Sequence, residues 1–103
     1  MRRFVFGTDR TAYAQDAEFL KLVRAQWPEM GWWHQLSEMW LFVDPTDTVT
    51  PSALRDIARK AFPNIDLLVI QVKDGKGWAG FGPKRGSAGD MFTWIHEWWG
   101  RSD

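Results

Sequence analysis

Strand-like apolar segments alternate with segments of helical periodicity along this chain. Residues 3–8 are β-rich and apolar on both faces, which predicts a central first strand. The apolar positions of residues 14–27 fall on one side of a helical wheel, while charged residues occupy its other sides. Pro28 follows directly and ends this predicted helix, because proline lacks the backbone donor that a continuing helix needs.

The rest of the chain continues this alternation. Residues 31–43 predict a hairpin, and Thr50 followed by proline predicts the start of a second helix that ends before Pro63. Residues 66–72 form the clearest strand pattern, and their apolar run predicts a central position in the sheet. Residues 90–99 predict a final helix with a wide apolar stripe.

The predicted order is β-α-β-β-α-β with an additional C-terminal helix, in a single domain over residues 1–103. Two β-α-β units that share one antiparallel sheet form the ferredoxin-like arrangement, an α+β fold. Right-handed crossovers fix the handedness of this arrangement. No internal repeat, low-complexity tract or linker interrupts the sequence.

Composition excludes several classes of protein but does not identify a reaction. The absence of cysteine excludes a disulfide framework, a zinc ribbon and a thiol nucleophile. Thirteen basic side chains balance thirteen acidic ones, which argues against a protein that coats duplex nucleic acid. No apolar run resembles a signal peptide or approaches the ~20 residues of a membrane span, so we expect a cytoplasmic protein without membrane contact.

The chain contains eight tryptophans, which are more large aromatic side chains than the core of a domain of this size easily buries. Trp27 and Trp40 fit the predicted core, and the others are candidates for further core, a base-stacking platform or a dimer seam. A stacking platform normally accompanies a cationic groove, and this chain has no surplus of positive charge, so we favour core plus a homodimer seam. The residues assigned to the dimer interface are Trp32, Trp33, Trp78, Trp94, Trp98 and Trp99.

Three parts of the chain together resemble a known family. They are Phe-Val-Phe-Gly-Thr-Asp at 4–9, Trp-Trp-His-Gln-Leu at 32–36 running into Trp-Leu-Phe at 40–42, and Leu-Leu-Val-Ile-Gln-Val at 67–72 followed by Trp-Ala-Gly-Phe at 78–81. They resemble the small bacterial SinR-like proteins. Those proteins are similar in turn to the ferredoxin-like spacer-acquisition nucleases of CRISPR systems and to virulence-associated protein D. The resemblance implies a βαββαβ fold and a homodimer.

Asp9 is the candidate for catalysis and metal binding that this resemblance implies. In the nuclease branch, an aspartate that ends the first strand holds a divalent metal across the dimer axis, and Asp9 occupies that place. Mg²⁺ or Mn²⁺ on such carboxylates activates water and neutralises a phosphate, and a symmetry mate must supply the second carboxylate. Thr8 departs from the aromatic residue usual before this aspartate. The alternative is that Asp9 caps the turn before the first helix.

A second candidate region is basic. The glycine-rich residues 82–89 contain Lys84 and Arg85 just before the last predicted helix, and Lys73 and Lys76 precede them. Glycine flexibility, cations and a helix N-terminus are the ingredients of a phosphate or nucleic-acid site. The segment lacks the Gly-Lys-Ser/Thr ending of a P-loop, which argues against nucleotide hydrolysis. The alternative is an exposed loop that binds nothing.

The two histidines are expected to be structural. His34 and His96 lie in different predicted elements, and neither has a partner at metal-ligand spacing. No serine lies in the sequence context of a nucleophile elbow, so the sequence offers no Ser-His-Asp arrangement.

These features predict a homodimeric interaction module without an assigned catalytic activity, whose further partner is a protein or a nucleic acid. The first alternative is a divalent-metal-dependent endonuclease that uses Asp9 from each protomer. The second alternative is an inhibitor or decoy that acts on a CRISPR complex, and it depends on the fold resemblance alone.

Overall fold

The computed structural model describes residues 1–79 and 91–100, and its elements follow the predicted order. None of the helices in these residues is long and apolar enough to cross a membrane. The strands are β1 (Arg2–Thr8), β2 (Gly31–Leu36), β3 (Met39–Asp44) and β4 (Leu67–Val72). The helices are α1 (Tyr13–Gln26), α2 (Pro51–Ala61) and a C-terminal helix composed of α3 (Met91–Trp94) and a π-helical segment (Ile95–Trp99).

The strands form one four-stranded antiparallel sheet in the order β2-β3-β1-β4. Both β-α-β units are split by a strand of the other unit, which confirms the predicted α+β, ferredoxin-like fold. The central position predicted for residues 3–8 is confirmed. The central position predicted for residues 66–72 is wrong, because β4 is the outermost strand on its side of the sheet that the structure describes. Its apolar pattern arises because one face packs against α2 and the other exposes large apolar side chains.

The helices α1 and α2 cover the first face of the sheet and enclose the main core. Phe19 on α1 lies at its centre, with its ring centroid 4.9 Å from that of Phe6, 5.1 Å from that of Trp40 and 5.1 Å from that of Phe62. Aromatic pairs at such separations add about 0.5–1.5 kcal/mol beyond the burial of their area. The remaining core members are Phe4, Val23, Met30, Phe42, Val49, Leu54, Ala58 and Ala61.

The C-terminal helix packs on part of the second face of the sheet. It is less regular than the continuous helix predicted over residues 90–99, because a four-residue α-helical turn leads into a five-residue π-helical segment. The second core that it completes consists of Trp33, Leu41, Val43, Ile95 and Trp99.

Contacts from distant parts of the chain fix the end of this helix. The Gly100 N–H donates to the Ile95 carbonyl at 2.7 Å, which is the wider hydrogen bond of a π-helix. The buried Arg3 donates from Nε to the Trp99 carbonyl at 2.5 Å. Gly75 lies so close to Trp99 that a Cβ at position 75 would collide with the same carbonyl. The Trp99 carbonyl is thus held by β1, and the helix ends there.

Candidate functional site

The second face of the sheet presents three rows of cross-strand neighbours. Among the residues of these rows, Arg3 is the single charged one, and its guanidinium is buried against the C-terminal helix. From β2 to β4, the rows are Leu36, Met39, Gly7 and Leu68; then Trp33, Leu41, Val5 and Ile70; then Gly31, Val43, Arg3 and Val72. This face is therefore apolar almost throughout.

The C-terminal helix leaves part of this face exposed. It packs mainly against β2 and β3, whereas Leu68 and Ile70 on β4 remain 62% and 48% exposed. Leu36 and Trp78 are also exposed, and they line a cavity of about 340 Å³ together with Val5. We call Leu36, Leu68, Ile70 and Trp78 the second-face patch. Exposed apolar patches that continue from a core mark binding surfaces more often than scattered apolar residues do.

The tryptophans assigned to a dimer interface occupy different environments. Trp33 and Trp99 are only 3% and 6% exposed, because the C-terminal helix buries them inside this chain. Trp32 packs against the first core, and Trp94 packs against the second. The most exposed members, Trp78 and Trp98, offer the largest surface to a partner. The sequence identified these residues as apolar, but periodicity does not show which of them an added helix covers.

Asp9 follows β1 and lies in a shallow groove with Glu38 and Asp66. Its backbone N–H donates to the Asp66 carbonyl at 3.0 Å, whereas its carboxylate makes no hydrogen bond or ion pair within the described residues. The predicted alternative, in which Asp9 caps the turn before the first helix, is therefore not formed within the described residues, and at the start of the helix Gln15 Oε1 accepts the Ala12 N–H at 2.9 Å. In residues 1–79 and 91–100, no three acidic, histidine or cysteine side chains cluster closely enough to hold a metal ion. A metal at Asp9 would thus need ligands from outside these residues of one copy.

His34 is hydrogen-bonded and partly buried, in accord with the structural role expected of it. Its Nδ1 lies 2.9 Å from the Met39 carbonyl and its Nε2 lies 3.2 Å from Asp16 Oδ2. The ring stacks on Trp40 at 3.8 Å between centroids, and Thr11 Oγ1 donates to the other Asp16 oxygen at 2.7 Å. These bonds join the start of α1 to the β2–β3 hairpin. His96 is exposed on the π-helical segment.

Asp44 is a buried carboxylate that the sequence analysis did not identify. Its oxygens accept the Thr46 hydroxyl at 2.5 Å and the backbone N–H groups of Thr46, Thr48 and Val49 at 2.8–2.9 Å. Burial by itself would raise the pKa of Asp44, but these hydrogen bonds together lower that pKa below its usual value. Arg2 ties the same loop to β1 by donating from Nη1 to the Val49 carbonyl at 2.8 Å. An aspartate that ends a strand before Pro-Thr was the available sequence signal, because such residues bond to nearby backbone.

The predicted basic region falls partly outside the described residues. Lys84 and Arg85 lie there, so their place in a phosphate or nucleic-acid site stays a prediction. Lys73 and Lys76 follow β4 and are exposed, and the Lys76 N–H donates to Asp74 Oδ1 at 2.9 Å. Lys76 and Asp74 also line the 340 Å³ cavity, so charges of both signs stand at its wall.

Comparison of this chain with family models, with curated proteins and with solved structures found no match. The resemblance to the SinR-like and spacer-acquisition proteins therefore stays a prediction. The same holds for the inhibitor or decoy role that depends on that resemblance alone.

Proposed function

We propose that this chain is a homodimeric interaction module, and that two copies associate through the second-face patch. The observation that carries this proposal is the exposure of Leu68 and Ile70 on β4, where Ile70 ends a row that contains the buried core residues Trp33 and Leu41. Each Å² of such surface removed from water contributes about 25 cal/mol. Association would extend the second core across a two-fold axis and cover apolar surface that one copy leaves in water.

Charge supports a second copy as the occupant of this patch. The formal net charge is zero, so two copies have no long-range repulsion to overcome. Leu36, Leu68, Ile70 and Trp78 carry no charge themselves, and an apolar centre with few charges is typical of the middle of a homodimer interface. The expected resemblance to dimeric spacer-acquisition proteins agrees with this proposal.

Replacement of Ile70 by aspartate is expected to convert the dimer to a monomer at micromolar concentration. An isologous interface contains the substituted residue twice, so two carboxylates would be buried in an apolar seam. Light scattering coupled to gel filtration measures the mass. Tyr13→Asp is the matched control, because Tyr13 is 88% exposed on α1, on the helix-covered side of the sheet. The proposed interface is wrong if Ile70→Asp leaves the dimer intact, or if Tyr13→Asp disrupts it equally.

A second candidate function is a metal-dependent endonuclease, and the position of Leu68 favours it. Leu68 belongs to the second-face patch and also lines the groove that holds Asp9, Glu38 and Asp66. A dimer that closes over Leu68 would place the grooves of both copies along one seam. Carboxylates from two protomers would then be available to Mg²⁺ or Mn²⁺, which supplies Lewis acidity and an activated water for phosphodiester cleavage.

Asp9→Asn is expected to lower such cleavage by on the order of a hundredfold, since even indirect partners of a metal ligand have effects approaching this size. The measurement is cleavage of labelled single- and double-stranded DNA and RNA with added Mg²⁺ or Mn²⁺. Asp56→Asn, at an exposed carboxylate on α2, is the control and should retain full cleavage. Cleavage that survives Asp9→Asn would indicate contamination or another site, and the candidate function would be discarded.

A further inference from the structure

A groove of about 330 Å³ lies between α2 and the outer strand β4, on the first-face side of the sheet. Its strand wall is apolar, and its helix wall combines a proline, a hydroxyl and a guanidinium. The lining residues are Pro51, Ser52, Arg55, Leu67, Leu68 and Val69. This groove is separate from the 340 Å³ cavity, which lies on the second face.

Strand β4 has the properties of an edge that accepts another strand. Leu67–Val72 contains no charged residue and no proline, and its pairing with β1 is regular over the whole strand. Natural edge strands usually block further pairing with charges, prolines or bulges. At the opposite edge, β2 has such an irregularity between Trp33 and Leu36. In the part of the chain that the structure describes, the outer backbone groups of β4 have no strand partner.

Arg55 gives this groove a preference for negative charge. Its Nε donates to Asp56 Oδ1 at 3.0 Å, and its Nη2 lies 3.0 Å from the same oxygen. A guanidinium has five N–H donors, so three of them have no acceptor within the described residues. Arg59 follows one helical turn later with a further exposed cation. Although Asp56 balances the charge of Arg55, a carboxylate brought into the groove would meet the free guanidinium donors of Arg55, with the cation of Arg59 one turn away.

We propose that this groove binds an extended acidic peptide segment of a partner protein, which adds as a strand to the outer edge of β4. Backbone hydrogen bonds to β4 set the register of the peptide. Alternate side chains of the peptide face the groove, where apolar ones pack on Leu67 and Val69 and a glutamate or aspartate on the same face of the peptide binds the free donors of Arg55. This inference goes beyond the proposed dimer and does not depend on it, because Arg55, Leu67 and Val69 lie outside the second-face patch and the two surfaces share only Leu68 among the described residues.

The test uses a fluorescein-labelled peptide of alternating valine and threonine in which glutamate replaces the central valine, so that it lies on the same face as the other valines. Fluorescence anisotropy is expected to show binding, and Arg55→Glu is expected to weaken it by about tenfold, as reversal of an exposed ion pair does. Arg24→Glu is the matched control. Arg24 lines a groove of about 360 Å³ on α1 with Ala17, Leu20 and Lys21, where no strand edge is present among the lining residues. The control variant should bind the peptide as the unsubstituted protein does.

Amide NMR of the complex provides the second readout. Shifts and exchange protection are expected at Leu67–Val72, with little change along α1. The proposal is overturned by absence of binding, by equal loss in both arginine variants, or by equal affinity for a peptide with lysine in place of glutamate. It is also overturned if Arg55→Glu alone changes the oligomeric state, since a second copy would then occupy the edge. Loss of the dimer in Ile70→Asp tests the proposed function separately.

Discussion

Replacement of Asp44 by alanine is expected to destabilise the folded protein by about 3–4 kcal/mol. The substitution removes the acceptor of four hydrogen bonds and leaves three backbone N–H groups of the 44–49 loop without their partner. Urea unfolding followed by circular dichroism measures the difference. Asp56→Ala, which removes an exposed carboxylate on α2, should change stability by no more than about 0.5 kcal/mol. Equal effects of the two substitutions would contradict the role assigned to Asp44.

The pH dependence of stability separates the contribution of the negative charge of Asp44 from the contribution of the size and shape of its side chain. Although burial opposes ionisation, the Thr46 hydroxyl and the backbone donors hold the folded-state pKa of Asp44 below that of the unfolded chain. The resulting stabilisation is fully present above the unfolded pKa, near pH 4, and is lost as the pH falls through the folded pKa. The Asp44→Asn variant has no carboxylate at this position and therefore lacks this pH-dependent stabilisation. The stability of the unsubstituted protein should thus fall more steeply below about pH 4 than that of the variant. Parallel curves would show that the charge of Asp44 is not stabilised.

Phe19→Ala is expected to cost about 3–5 kcal/mol, because the cavity it leaves is enclosed by other aromatic rings that are held on three different elements. Phe19 is fully buried, with ring neighbours Phe6, Trp40 and Phe62 from β1, β3 and the end of α2. Urea unfolding again provides the measurement.

Tyr13→Ala is the control for this substitution, because it removes an aromatic ring from the same helix at an exposed position. It should change stability by no more than about 0.5 kcal/mol. Phe19→Leu, which keeps most of the apolar volume, should fall between the two. A cost for Phe19→Ala no larger than that of Tyr13→Ala would show that the main core is not centred on this ring.

The order of the elements could be predicted because local signals mark their ends. Pro28 follows the first helix closely, and Pro51 occupies the first helical position of α2 after Thr50, whose Oγ1 accepts the Ala53 N–H at 3.2 Å. These effects act within a few residues, so the sequence alone contains them. The β-α-β-β-α-β order then left few possible topologies.

The position of β4 and the course of the C-terminal helix could not be predicted in the same way. An apolar run such as Leu67–Val72 fits a central strand that is buried on both faces. It also fits an edge strand that exposes apolar side chains on one face. The π-helical end depends on Arg3 and Gly75, which are distant from Trp99 in sequence. No local periodicity contains such contacts.

The same distinction between local signals and tertiary contacts applies to the candidate sites. His34 was expected to be a bonded, partly buried residue because its strand face is apolar, and its bonds to Met39 and Asp16 agree with that expectation. The exposure of Leu68 and Ile70 depends on where the C-terminal helix lies, and the Arg55 groove depends on how α2 crosses β4. Both surfaces come from tertiary packing and could be found only in the folded structure.

Sedimentation equilibrium of the unsubstituted protein over micromolar concentrations shows whether two copies associate. We expect a particle of twice the chain mass of 12.0 kDa. We also expect dissociation on dilution, as for a self-complementary apolar interface of modest area. A particle of 12.0 kDa at every concentration would contradict the homodimer and leave Leu68 and Ile70 without the partner proposed for them.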